Sequence, residues 1–222
     1  MEDQTYSLVH LIRRPLVETA APPLLLLLHG FGSNEHDLFQ LAPSLDARFL
    51  ILSIRAPHVL GLESYAWFDV NFASKEPFIN PAQAEASRKA LISFIQAAVV
   101  TYNADPRRVY LMGFSQGAIM SAGIALMHPE LVAGVVMMSG SVLPEVQPMM
   151  APSEKLQDLP FLVVHGTADS VLPIAHAHAS RAFLSSLPVA LTYHEYAMGH
   201  EIRPESLADI GAWLSQQLDR PY

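Results

Sequence analysis

The chain has 222 residues, 51% of them apolar and only 15% charged, against roughly 25% charged in an average globular protein, so it can bury a large core and is a poor candidate for disorder. Its formal net charge of −8 would repel a phosphate backbone or an anionic membrane surface, which makes nucleic acid a remote partner. Cysteine is absent, and with it go disulfides, thiolate metal sites and cysteine nucleophiles.

The N-terminus MEDQTYSLVHLIRR begins acidic and lacks a basic stretch followed by an apolar run, so no secretory signal is visible. The longest purely aliphatic run, residues 24–28, is far below the ~20 residues that span a bilayer. A cytoplasmic protein without a membrane span is the expectation. Apolar runs at residues 6–12, 24–28, 49–54, 107–112, 132–138, 161–165 and 189–196 read as strands, several of them apolar on both faces, as strands between two helix layers should be.

Longer segments with helical spacing alternate with these runs. After Asn80-Pro81, a cap followed by proline at the first helical position, Leu91, Phe94, Ile95, Ala98 and Tyr102 form one stripe that ends near Asn103. Further helices are expected over residues 115–127, stopping at His128-Pro129, and over 173–187 and 204–218. Alternating strands and helices predict an α/β fold with a mostly parallel central sheet and helices on both faces. No repeat or low-complexity linker interrupts residues 1–222, so a single domain is expected. The connection over residues 57–78 is long, irregular and aromatic, with Trp67, Phe68 and Phe72. Such loops are often functional, and a substrate-pocket role competes with a loop stapled down by its own side chains.

Gly113-Phe114-Ser115-Gln116-Gly117 follows an apolar run and precedes a small-residue helical pattern, the context of a nucleophile elbow. A serine hydroxyl needs a base within reach and a third group to orient that base, in the chain order Ser, acid, His. Asp169, in His165-Gly166-Thr167-Ala168-Asp169, falls just past one expected strand; His200, in Met198-Gly199-His200-Glu201, falls past the next. Strand ends on one edge of a parallel sheet can bring such residues together. Among rival candidates, His165 and His194 lie at or within strands and read as structural. His176 and His178 are two apart on a helix and read as solvated, Asp158 precedes its strand, and Asp209 sits within the last helix. His29-Gly30-Phe31-Gly32 follows the first leucine strand, where an oxyanion-hole loop should lie. The backbone amides of Phe31 and Gln116 are the candidate donors, worth roughly 3 kcal/mol each in the transition state.

Taken together, HGFG at 29–32, AWFD at 66–69, GFSQGA at 113–118, HGTAD at 165–169 and MGHE at 198–201 resemble the small carboxylesterase and acyl-protein thioesterase family of α/β-hydrolases, the phospholipase/carboxylesterase family, over nearly the whole chain. The resemblance implies a triad of Ser115, Asp169 and His200, oxyanion amides from Phe31 and Gln116, and hydrolysis of carboxylic esters or, in some members, thioesters; no metal or cofactor is expected. It departs from many members in carrying Phe31 where they have leucine, which bears on the shape of the acyl pocket rather than on the amide.

Larger relatives insert a helical cap, whereas residues 139–160 are too few to build one. An open groove walled by Phe31, Trp67, Phe68 and Phe72 is therefore expected, with Pro144, Pro148, Met149 and Met150 as either a flexible apolar wall or a plain surface loop. The substrate would be a small ester of short to medium acyl chain; the alternatives are an acyl-protein or acyl-carrier thioesterase or lysophospholipase with the same triad. A dienelactone hydrolase is disfavoured because members with that activity use cysteine at the elbow, and a binding protein on a degraded scaffold because no triad member is missing. A homodimer could form through a helix or an edge strand.

Overall fold

The computed structural model of the chain describes residues 8–71 and 78–220. In chain order its strands are β1 (His10–Arg13), β2 (Leu24–Leu28), β3 (Leu50–Ile54), β4 (His58–Gly61), β5 (Ser64–Ala66), β6 (Val70–Asn71), β7 (Phe78–Ile79), β8 (Val109–Phe114), β9 (Gly134–Met138), β10 (Pro160–Gly166) and β11 (Ala190–Tyr196). The helices are α1 (Glu35–Phe39), α2 (Pro81–Thr101), α3 (Gln116–Met127), α4 (Ile174–Ser185) and α5 (Pro204–Asp219).

Seven strands form the central sheet in the order β1-β3-β2-β8-β9-β10-β11. Only β1, paired with β3, runs antiparallel. The five leucines of β2 show why this sheet lies between two layers. Leu24, Leu26 and Leu28 pack with α2, α3 and α4, whereas Leu25 and Leu27 pack with α1 and α5, and all five are fully buried. A strand covered on both faces needs no polar alternation, and each leucine contributes about 1.5–3 kcal/mol by burial.

The α2 boundaries follow the expected chemistry. The Asn80 side chain accepts from the Gln83 amide, and Asn103 just past the end takes a left-handed φ of 51° while donating to the Ala20 carbonyl. The strands expected at 49–54, 107–112 and 132–138 begin one or two residues later than the apolar runs suggested. The first strand is a short edge strand at His10–Arg13, and residues 6 and 7 of its expected span lie outside the described residues. The segment after residue 57 is more regular than expected: β4 and β5 form a hairpin that turns through Glu63 at φ 52°, and β6 pairs with β7. The apolar side chains of that hairpin's tip are exposed, so no alternation marked it as a strand pair.

α3 lies backbone-to-backbone on the sheet. A Cβ on Gly117 would stand 1.8 Å from the Leu28 carbonyl oxygen, and one on Gly113 would stand 2.2 Å from that of Gly117. Neither obstacle is a side chain that can swing away. Gly117→Ala should therefore cost more than about 3 kcal/mol, at or beyond the upper end of overpacking penalties, read as a lower urea midpoint with an unchanged slope. A midpoint within experimental error of the parent would mean that α3 sits farther from β2 than described.

Candidate active site

The parallel strands β2, β8, β10 and β11 deliver their C-terminal ends to one edge of the sheet, and the candidate residues follow those ends. Ser115 is the junction between β8 and α3. Its φ of 53° and ψ of −115° are unfavourable for a residue with a Cβ, a conformation that costs on the order of 1–3 kcal/mol and persists only where the surroundings enforce it. Here the Ser115 amide donates to the Met138 carbonyl at 2.9 Å, and the Ser115 carbonyl accepts from Ala118 and Ile119 at 3.0 and 3.2 Å. The strained turn leaves the serine half-buried. Gly30 of the loop after β2 abuts it, since a Cβ there would come 3.3 Å from the Ser115 Cβ.

Asp169 and His200 are joined directly. His200 Nδ1 donates to Asp169 Oδ2 at 2.7 Å, and Asp169 Oδ1 accepts from the Val171 and Leu172 amides at 2.9 and 2.8 Å. Their two loops are laced together by bonds from Thr167 N to Tyr196 O, 2.8 Å, and from Ala168 N to Met198 O, 3.0 Å. The loops meet at Gly166, where a Cβ would stand 2.3 Å from the Met198 and Gly199 carbonyl oxygens. Burial on its own would raise the Asp169 carboxyl. The His200 hydrogen bond, the Leu172 and Val171 amides and the His200 charge outweigh it, so the group sits below the ordinary carboxylate range.

His200 is brought to the serine by packing, its ring centroid 4.8 Å from that of Phe114. Among the described residues no hydrogen bond closes between Ser115 and His200. Such bonds are often long before substrate arrives and shorten in the complex. Gln116 is the first residue of α3, so its amide is one of the helix's orphan donors. Phe31 lies in the adjoining loop with its ring partly exposed.

The rival residues stand outside the Ser115–His200–Asp169 line. His176, His178 and Asp209 are exposed, with His178 paired to Glu195 and Asp209 accepting from the Tyr196 hydroxyl. His194 is exposed as well, so it is not the hydrogen-bonded structural histidine expected there. His165 is fully buried and bonded to the Leu172 carbonyl.

Trp67 and Phe68 differ from the expectation of groove walls: both are fully buried, at 0% exposure. Phe72 lies outside the described residues. The buried pair anchors its loop instead. Trp67 Nε1 donates to the His29 carbonyl at 2.9 Å, and the Ser87 hydroxyl donates to the Trp67 carbonyl at 2.6 Å. The Gln116 side chain accepts from Trp67 N at 3.0 Å and donates to Phe68 O at 2.7 Å. His29 braces the other side, Nδ1 donating to Gly30 O and Nε2 accepting from Ala56 N.

The sequence reading used Gln116 only for its backbone amide and missed this second role. Gln116→Ala strands the buried Trp67 amide and Phe68 carbonyl, each costing about 1–3 kcal/mol, while keeping the residue-116 amide in place. A clear fall in Tm should accompany a kcat loss far smaller than that of a triad variant; an unchanged Tm would show the clamp to be idle.

Among the described residues no helix is long and apolar enough to cross a membrane, and no group of three or more His, Asp or Glu is placed to hold a metal ion. A family model described as phospholipase/carboxylesterase matches residues 17–218. Acyl-protein thioesterase 1 of Gibberella zeae is 26% identical over 92% of this chain and 95% of its own. The carboxylesterase SOBER1 of Arabidopsis thaliana is 26% identical over 89% and 92%. Among solved structures, the Bacillus cereus carboxylesterase superposes with a TM-score of 0.80 at 23% identity over 96% of both chains. Esterase PE8 superposes with 0.79 at 26% identity over 94% of this chain and 98% of its own. The sheet order, the absence of a cap between β9 and β10 and the match over residues 17–218 place the chain in the phospholipase/carboxylesterase family of serine hydrolases with the α/β-hydrolase fold.

Proposed function

We propose that the protein is a carboxylesterase that cleaves short to medium acyl esters through an acyl-enzyme on Ser115. The observation that carries this reading is the 2.7 Å bond between Asp169 and His200 Nδ1 on the sheet edge where Ser115 holds a strained elbow. With Nδ1 donating to the carboxylate, Nε2 is left as the base. It takes the proton as the serine oxygen attacks the acyl carbon, and the Gln116 and Phe31 amides receive the charge that forms on the carbonyl oxygen. His200 then protonates the departing alcohol, and water attacks the acyl-enzyme by the same route in reverse. The enzyme would act in the cytoplasm, with no cofactor.

An open, polar depression of about 460 Å³ beside Phe31, lined by Ser33, Asn34, Asp37 and Glu63, suits an exposed, hydrated leaving group. A smaller pocket of about 230 Å³ is lined by Ile79, Ala84, Leu143, Val146 and Met149 together with Glu85, Arg88 and Glu145, and shares no lining residue with the triad. The likeness to a named acyl-protein thioesterase favours a second reading, thioester hydrolysis with the same residues. Comparing kcat/KM on an ester and a thioester of identical acyl chain decides between them: the esterase reading expects the ester to be at least as good, and a large excess for the thioester would replace it.

The pH profile has a definite form. Because Asp169 is held below the ordinary carboxylate range, it stays ionised through the working range of the enzyme, so a single group should govern the acid limb of kcat/KM, which should fall with unit slope. A slope of two, or no limb, would contradict this assignment of roles.

A further inference from the structure

His165, next to last in β10, is completely buried four residues before Asp169, and the mechanism above makes no use of it. Its Nε2 lies 2.8 Å from the Leu172 carbonyl oxygen and 3.4 Å from Asp169 Oδ2. Both neighbours are acceptors, so this nitrogen carries the ring proton. Nδ1 is buried without a partner, and a proton there would be stranded. The ring is therefore the Nε2–H tautomer, with its one donor aimed at the acid's loop.

That loop is held by two sets of bonds. The Val171 and Leu172 amides donate to Asp169 Oδ1, while His165 donates to the Leu172 carbonyl. Oδ2 accepts from His200 Nδ1 at 2.7 Å and lies 3.4 Å from His165 Nε2, whose hydrogen bond goes to the Leu172 carbonyl. The preceding residues of β10, Phe161 to Val164, are all apolar, and an apolar side chain at 165 would avoid an unsatisfied Nδ1. A buried polar atom left unpaired next to a reacting group is better explained by what its other face does.

We infer that His165 is a positioning residue of the reaction: by donating its Nε2–H to the Leu172 carbonyl it holds the loop whose Val171 and Leu172 amides fix Asp169 Oδ1, so that Oδ2 faces His200. It acts through Asp169 and touches no substrate. The inference rests on the Ser115–His200–Asp169 reading.

The test compares the wild-type protein with His165→Gln, whose amide can place an N–H near the Nε2 position, and His165→Leu, which fills space without a donor. In the leucine variant kcat on a soluble ester should fall about 10–100-fold, the scale on which a slight misplacement of a reacting group slows a reaction, with KM little changed. The rate of fluorophosphonate labelling of Ser115 should fall in step, and the low-field proton resonance of His200 Nδ1–H should be lost. Glutamine should restore kcat to within about threefold and recover that resonance. A folded leucine variant with wild-type kcat, or an equal loss in both variants, would overturn the role. Nitrogen-15 spectra of the wild-type protein need no variant: the proton must sit on Nε2 of His165, and finding it on Nδ1 would overturn the inference even if the leucine variant failed to fold. If wild-type Ser115 does not label at all, the triad reading fails; if it labels and the leucine variant labels as fast, only the role of His165 fails.

Discussion

Ser115→Ala should lower kcat by about five to six orders of magnitude while leaving the protein folded, the scale seen when a triad nucleophile is removed. Alanine keeps the Cβ that the elbow already accommodates at φ 53°, and the backbone bonds to Met138, Ala118 and Ile119 do not involve the hydroxyl. Tm should therefore shift by little, as for a substitution that breaks no packing or buried hydrogen bond. KM should stay near the parental value, because the amides of Phe31 and Gln116 and the surrounding pocket are untouched. Residual turnover of about 10³–10⁴ over water would be the share of those amides and of binding. Steady-state kinetics on a soluble ester and a thermal melt check both halves; substantial activity in a well-folded Ser115→Ala protein would move the nucleophile elsewhere.

Asp169→Asn should cost about 10⁴-fold in kcat, as when a triad acid is replaced by its amide, and the structure fixes why. Two backbone donors, Val171 N and Leu172 N, point at Oδ1. An asparagine must place its oxygen there, so its NH₂ is forced into the Oδ2 position facing His200 Nδ1 at 2.7 Å. Two donors cannot share that contact, and the imidazole must turn its unprotonated nitrogen to the amide. The proton then sits on Nε2, where the base is needed. Flipping the amide to escape would set its NH₂ against two backbone N–H groups, so no rotamer relieves the conflict. Loss of kcat by only a few fold would mean that Asp169 does not orient His200.

Much of this arrangement was legible in the residues because the chemistry demands patterns that survive in one dimension. The five leucines of β2 announce a strand covered on both faces, and two glycines around Ser115 announce a helix pressed onto the sheet at backbone distance. Asp169 and His200 follow strand ends because only such loops reach the edge where the elbow opens. Other features had no such signature. The β4–β5 hairpin exposes Val59 and Leu62 at 71% and 96%, so its apolar letters carry no information about a core. α1 has five residues, too few to display a period. Trp67 and Phe68 were expected as groove walls because an aromatic loop beside a site suggests a pocket, but composition cannot say which way a ring faces. Both turn inward, held by a glutamine 48 and 49 residues along the chain. The second role of Gln116 arises only from that long-range contact, as does the buried approach of His165 to Asp169.

Everything in this mechanism depends on Ser115 being an activated nucleophile. The most direct measurement is labelling of the folded wild-type protein and of Ser115→Ala with a fluorophosphonate, with the adduct located by mass spectrometry. A single adduct on Ser115 is expected in the wild-type protein and none in the variant. A folded wild-type protein that stays unlabelled, or one labelled on another residue, would contradict it.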